Sequence, residues 1–424
     1  MSASEKLAGG VRAPAVGTPH GLPRLLPLTL DGQPASLARH LARHGHLRIP
    51  RMMMAEIDKA GLTGRGGAAF PTARKIAAVA AAAGRPVVVV NGTEGEPASA
   101  KDKVLLATEP HLVLDGAVVA ARLAGAREVI VAAHRAVVDT IEDAIGARQD
   151  EVEVRVVEAA GGFVAGEASA VVNWLAGGPP VPTQVPPRLA QHGLHGRPTL
   201  VQNAETLAHV ALVARYGARW FRELGTTAEP GSMLITVIGA VREPGVREIE
   251  IGIPVADVLE EAGGPARPLR ALLIGGYFGT WVPWPQVASL PFSAAGLAGV
   301  GAAPAAGLVA ALSADGCGVA ETARVARYLA DESAGQCGPC VFGLRAIADE
   351  LGRVAAGQSA SVPLLRRWLS QVDGRGACRH PDGAVRLIRS GLDVFSRELD
   401  LHAHGWCSAT DVDPVLPVPS RSTS

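Results

Sequence analysis

Four consecutive valines, Val87, Val88, Val89 and Val90, stand between Pro86 and Asn91. A run this apolar and β-branched, with no polar alternation, reads as a strand buried on both faces, as in parallel sheets. Helical patterns flank it over 72–83 and 110–123, and strand, helix and strand patterns follow at 128–133, 137–147 and 151–158. That rhythm predicts βαβ wiring and an α/β fold with a doubly wound sheet. The polar loop leaving the first strand, Asn91-Gly-Thr-Glu-Gly-Glu-Pro-Ala-Ser-Ala-Lys-Asp102, then falls at the carboxyl edge, where such sheets bind ligands.

Ahead of that strand lies Gly61-Leu-Thr-Gly-Arg-Gly-Gly-Ala-Ala-Phe-Pro-Thr-Ala-Arg-Lys75. Glycines let the backbone turn its amides outward, and Pro71 opens a helix where proline is tolerated. With Arg65 and Lys75 at its two ends, the turn is suited to cradle a phosphate. An ordinary glycine turn entering an Ala-rich helix has the same local pattern. The chain has only five lysines, Lys6, Lys59, Lys75, Lys101 and Lys103, and three fall in or just after these two stretches. Chance clustering would give the same count, but a compact ammonium at those places is suited to a bound anion.

Lys plus Arg and Asp plus Glu are 40 each, so no global field favours nucleic acid or an anionic membrane surface. The uncharged stretch 271–314 is cut by Pro283, Pro285, Pro291 and Pro304, which predicts buried strands and an Ala/Gly linker rather than a membrane span. The first 22 residues lack the apolar run of a signal peptide, and five cysteines with one Cys337-x-x-Cys340 pair suit a reducing compartment. A cytoplasmic protein, or one peripheral to a membrane complex, is expected.

A second glycine turn, Gly161-Gly-Phe-Val-Ala-Gly-Glu-Ala-Ser-Ala170, runs into a helix over 169–175, and a Pro-rich linker follows through Pro187. The strand, turn and short-helix pattern at 234–274 resembles a β-grasp module. Four amphipathic patterns at 319–331, 341–354, 362–372 and 383–399 predict a helical bundle with cysteines at its loops. The expected division is a 1–58 extension, a 59–225 α/β domain, a 232–292 β-grasp domain that resembles the soluble-ligand-binding type, a 293–317 linker, a 318–405 helical domain and a disordered 406–424 tail.

Several motifs in one order resemble the flavin-containing, NADH-binding subunit of respiratory complex I and the related diaphorase subunits of hydrogenases and formate dehydrogenases. They are Gly64-Arg-Gly-Gly-Ala-Ala-Phe-Pro71 with Lys75, Asn91-x-x-Glu94-x-Glu96-Pro97 with Lys101-Asp102, Gly166-Glu167, Gly193-Leu-His-Gly-Arg-Pro-Thr199, Asn203-Ala-Glu-Thr206, and Glu332-Ser333 ahead of the cysteine pair. The resemblance covers about residues 55 to 400 and implies FMN. Gly64, Arg65, Gly66, Gly67 and Lys75 would hold its phosphate and ribityl chain, with Asn91, Thr93, Glu94 and Glu96 near the ring and Gly166, Glu167, Asn203 and Thr206 closing the far side. A solvated acidic turn is the plainer reading of Glu94 and Glu96. No side chain need be catalytic, because the flavin carries the chemistry.

The same resemblance implies NADH, with Phe70 stacking on adenine and Glu96 facing nicotinamide. Ala168 replaces a second glutamate of the family, Val185-Pro-Pro-Arg188-Leu189 lacks a lysine and an aromatic, and Ile76 and Ala77 stand where aromatic bulk is common. For the iron–sulfur cluster, 4Fe–4S in the family, Cys337, Cys340 and Cys378 match three ligands, while Ala334 takes the place of the fourth. His380, and after it Cys407, are the candidate substitutes; helix-cap thiols without metal are the alternative. Cys317 matches no ligand position and reads as a small buried apolar residue. The implied function is NADH dehydrogenase (diaphorase)-type electron transfer to a redox protein partner. The alternative is a flavin relay that meets a ferredoxin-like protein and no longer binds NADH, with a cofactor-free scaffold as a third reading.

Overall fold

The computed structural model describes residues 21–27, 33–183, 188–358, 360–411 and 413–419. Two short helices, Leu37–His44 and Met53–Ala60, precede the glycine turn. The first is anchored by His40 Nε2 to Asp115 at 2.7 Å and by Arg43 donating to Glu109 at 2.6 Å. Helix Thr72–Ala80 then leads to β1 (Val87–Gly92), whose four valines are fully buried.

β2 (Glu128–Ala133), β3 (Glu153–Glu158) and β4 (Thr199–Asn203) complete a four-stranded parallel sheet in the order β3-β2-β1-β4. Helices Pro110–Ala124 and Ala204–Phe221 pack as a pair on one face, and the apolar side of Ala168–Leu175 covers part of the other. The chain therefore reverses direction in the sheet between β1 and β4, at the topological switch point. β4 and the long helix after it, which create that point, are not among the elements expected from the sequence, although the motifs ending at Thr199 and beginning at Asn203 fall at their starts.

The second sheet has five strands: β5 (Ser232–Gly239), β6 (Gly245–Glu250), β7 (Leu269–Ile274), β8 (Thr280–Pro283) and β9 (Leu308–Ser313), in the order β6-β5-β9-β7-β8. Its β5–β9 pair is parallel and the other pairs are antiparallel. β9 lies inside the expected 293–317 linker and is instead the central strand, buried at every position. Its Leu-Val-Ala-Ala-Leu-Ser sequence has no alternation because both faces are covered, so it looked like more Ala-rich linker.

The C-terminal helices are Gly318–Asp331, Arg345–Ala355, Val362–Val372, His380–Val394 and Ser396–Ala403. The expected single helix over 383–399 is broken at Phe395, and a π-helical turn, Pro339–Leu344, precedes the second helix. The tail corrects a further expectation, because its described part is docked. Leu416 is fully buried, its N–H donates to Glu321 at 3.0 Å, and Arg324 donates to its carbonyl at 2.6 Å. The composition of this segment is that of a disordered stretch; burial of one leucine and a pair of charged partners orders it. No single described helix is long and apolar enough to cross a membrane.

Candidate functional site

A cavity opens at the switch point, between the glycine turn and the ends of β1 and β4. Its wall includes Gly64, Gly66, Phe70 and Lys75 from the first turn, Asn91 from β1, Gly166 and Glu167 from the second turn, and Asn203 and Thr206 from the start of the long helix. Nine predicted residues from four separated stretches thus share one cavity. Three helices begin at this wall. Glu167 caps Ala168–Leu175 by accepting from Ser169 N and Ala170 N, and Asn203 caps Ala204–Phe221 by accepting from Glu205 N and Thr206 N. Thr72–Ala80 begins just after Phe70 and has no side-chain cap. Helix N-termini converging on one space favour an anion there.

Lys75 is the cation of the cavity. Burial lowers its pKa from the ordinary lysine value, the Glu167 carboxylate works against that, and it has no hydrogen-bond or ion-pair partner among the described residues. An ammonium in a half-buried wall, with no hydrogen-bond or ion-pair partner among the described residues, fits the donor set that a bound phosphate requires.

Arg65 does not act with it. Its guanidinium is buried on the far side of the turn, donating to Thr63 Oγ1 at 3.2 Å and to the Pro230 carbonyl at 3.1 Å. What Arg65 contributes is its backbone N–H, which donates to Thr206 Oγ1 at 2.8 Å and fixes the turn against the helix start. Gly67 is also outside the wall; its φ of 96° lets the turn reverse.

Thr93, Glu94 and Glu96 line a neighbouring cavity beyond the ends of β1, β2 and β3, together with Lys103, His134 and the tail residues Pro417, Val418 and Pro419. Glu94, at φ 49°, accepts from Ser99 Oγ at 2.5 Å and from the N–H groups of Asp102 and Lys103, so it shapes the loop and caps the helix Lys101–Thr108. Glu96 accepts from Tyr277 N at 2.8 Å, its other oxygen is buried without a partner, and burial pushes its pKa up to about 8. Gly95 must be glycine: a Cβ there would stand 2.5 Å from the Phe163 carbonyl oxygen.

Lys101 is structural. Burial alone would lower its pKa, but Asp102 at 3.0 Å and Glu205 at 2.8 Å carry it above the ordinary value. The other oxygen of Glu205 accepts from Leu234 N, which couples the two sheets. Gln202, buried in the cavity wall and donating to Thr72 Oγ1 at 3.3 Å, was missed. Ala69, in the same wall at φ 48°, was noted only as part of the turn. Only a left-handed alanine next to glycines could have drawn attention to this wall, and sequence does not show φ.

The three cysteines come from two loops. Cys340 is buried in the π-helical turn, a local geometry often found at functional sites, and Cys337 precedes it by one turn. Burial, helped by Cys337 and Cys378, pushes the Cys340 thiol up to about 12; burial also raises Cys378, with Cys337 and the cavity residue Glu167 adding to it. Cys340 belongs to the apolar cluster of the C-terminal helices, and Cys337 packs against the same cluster. Buried thiols at this spacing suit a cluster that takes them as thiolates. His380 Nε2 donates to the Leu329 carbonyl at 2.7 Å and its ring packs edge-on against Phe163 and Phe278, which leaves only Nδ1 free. Cys407 is not with these thiols but with Cys317 and His402.

Comparison with known proteins agrees with this layout. Residues 57–212 match the family described as the Nuo51 FMN-binding domain, 234–274 the SLBB domain, and 320–402 the NADH-ubiquinone oxidoreductase-F iron-sulfur binding region. The second F-type NADH-quinone oxidoreductase subunit of Rhizobium meliloti (strain 1021) is 31% identical over 376 residues, covering 83% of this chain and 89% of that one. The chain belongs to the family of F-type NADH-quinone oxidoreductase subunits. Within the family, the member in Streptomyces coelicolor is 29% identical, with 84% of each chain covered. Among solved structures, an NAD+-reducing [NiFe]-hydrogenase in the H2-reduced state matches with a TM-score of 0.79 at 31% identity. That match covers 88% of this chain, which spans 66% of the hydrogenase chain.

Proposed function

We propose that this chain is an FMN-dependent oxidoreductase subunit that takes a hydride from NADH and passes electrons to an iron–sulfur centre and then to a partner protein. The observation that carries the reading is Lys75, an unpaired cation in a cavity where three helices begin. Bound there, FMN would supply the change from two-electron to one-electron chemistry. The Gly66 amide and the Lys75 ammonium would hold its phosphate, while the Gly64 N–H donates to the Phe70 carbonyl at 2.9 Å and closes the turn. Asn91, whose Nδ2 donates to the Gly166 carbonyl at 2.9 Å, ties the two glycine turns into one rigid frame.

Burial shifts Glu96 toward its neutral form, and with one oxygen accepting from Tyr277 N and the other buried its carboxyl is turned inward, so it would spare a reduced, anionic ring a repelling charge. Cys337, Cys340 and Cys378 hold the cluster. The acceptor is another redox subunit or a ferredoxin-like protein. The domain limits follow the sheets, with the flavin domain ending near 225 and the second domain continuing to residue 317 through β9.

Anaerobic addition of NADH should bleach the flavin absorbance of the purified protein, and iron with acid-labile sulfide should be present. Flavin that stays oxidised under NADH would overturn the donor.

A specific observation favours the relay reading as the second choice. Ala168 leaves the cavity wall without a second carboxylate, and Pro417, Val418 and Pro419 fill one side of the cavity next to the acidic loop. Reduction of the flavin by a reduced ferredoxin but not by NADH would select it.

A further inference from the structure

Away from the cavities, Cys317, His402 and Cys407 bring two sulfurs and an imidazole nitrogen together, with all three ligand atoms within 4.8 Å of one another. Cys317 Sγ lies 3.3 Å from His402 Nε2. The other ring nitrogen, Nδ1, donates to the Ala355 carbonyl at 2.9 Å, which turns the Nε2 lone pair toward the sulfurs. His402 is buried, so that orientation is locked by packing. Cys317 caps the helix Gly318–Asp331 and its sulfur accepts from Ala320 N, which fixes the position of the sulfur. Cys407 is exposed and closes the group from the solvent side. A small apolar role for Cys317 explains none of this convergence.

We propose that Cys317, His402 and Cys407 form a separate zinc site, with two thiolates and one imidazole as protein ligands and water in the fourth, solvent-facing position. Two sulfurs with one nitrogen suit a borderline-soft tetrahedral ion, whereas a hard cation would need oxygen ligands. The ion joins the end of helix Ser396–Ala403 to the start of Gly318–Asp331. It thereby fastens the segment in which Thr410 N and Asp411 N donate to the Asp315 carbonyl. These thiols are distinct from Cys337, Cys340 and Cys378, so zinc here does not compete with iron there.

Metal analysis of the full chain, purified anaerobically without chelator, tests this. The expected result is about one zinc per chain beside the iron. Cys407→Ser, at an exposed position that does not threaten folding, should weaken zinc binding at least about tenfold and leave iron unchanged. Cobalt added to zinc-free protein should give a thiolate-to-metal absorption band that disappears in Cys407→Ser and persists in a Cys337→Ser/Cys340→Ser variant. Absence of both zinc and the cobalt band would overturn the proposal, as would equal zinc in Cys407→Ser or loss of the band in the Cys337→Ser/Cys340→Ser variant. A Cys317–Cys407 disulfide in the anaerobic protein would also overturn it.

Discussion

Lys75 and Glu96 are two titratable groups that burial shifts toward their neutral forms, lowering the pKa of the lysine and raising that of the carboxyl. Replacing Lys75 by Met should weaken FMN binding about 10- to 100-fold, the range for a hydrogen bond to a charged group, with the thermal melt of FMN-free protein unchanged. Equilibrium fluorescence quenching of FMN reads the affinity. For Glu96, the folded pKa of about 8 stands above its ordinary value of 4.5. Between those values the folded state holds a proton that the unfolded state has released. The contribution of this group is therefore fully present below about pH 4.5 and is lost as pH rises toward 8. In urea titrations at fixed FMN, Glu96→Gln should remove that part of the pH slope. Parallel wild-type and variant profiles would mean that Glu96 is ionised. Arg65 shows the limit of residue type as a guide: the sequence placed a cation at the turn, but packing buried its guanidinium against Pro230.

Among the elements, β9 and the tail were the hardest to read. Both are held by what they pack against rather than by their own pattern: β9 by β5 and β7, the tail by Glu321, Arg324 and a pocket for Leu416. Leu416→Ala should cost about 2–5 kcal/mol if the tail folds with the domain, as for other buried leucines. If the tail opens on its own, the global melt will barely move and limited proteolysis will cut it faster. In contrast, β1 was legible from its four valines alone, since a run with no polar residue has no solvent face to show.

For the whole molecule, the buried set Lys101, Asp102 and Glu205 is the tie between the two sheets, since Glu205 also accepts from Leu234 N in β5. Lys101→Met leaves two buried carboxylates without their cation and should cost about 3–5 kcal/mol, measured by chemical denaturation. Lys101→Met/Glu205→Leu, which removes both partners, should recover part of that loss. A single variant that is neutral would mean that the interface rests on apolar packing.

Residue order was enough to specify the flavin-type α/β core, the stretches that meet at the cavity, and the cysteine spacing on which the proposed cluster rests. Each depends on local chemistry: a β-branched run, glycines before a helix, and thiols at short spacing. Folding in three dimensions settled which of those side chains face the cavity, that residues 308–313 complete a sheet, and that Cys317, His402 and Cys407 meet. Those outcomes depend on contacts between residues as far as 165 positions apart, such as Arg65 with Pro230, and no local pattern carries that information.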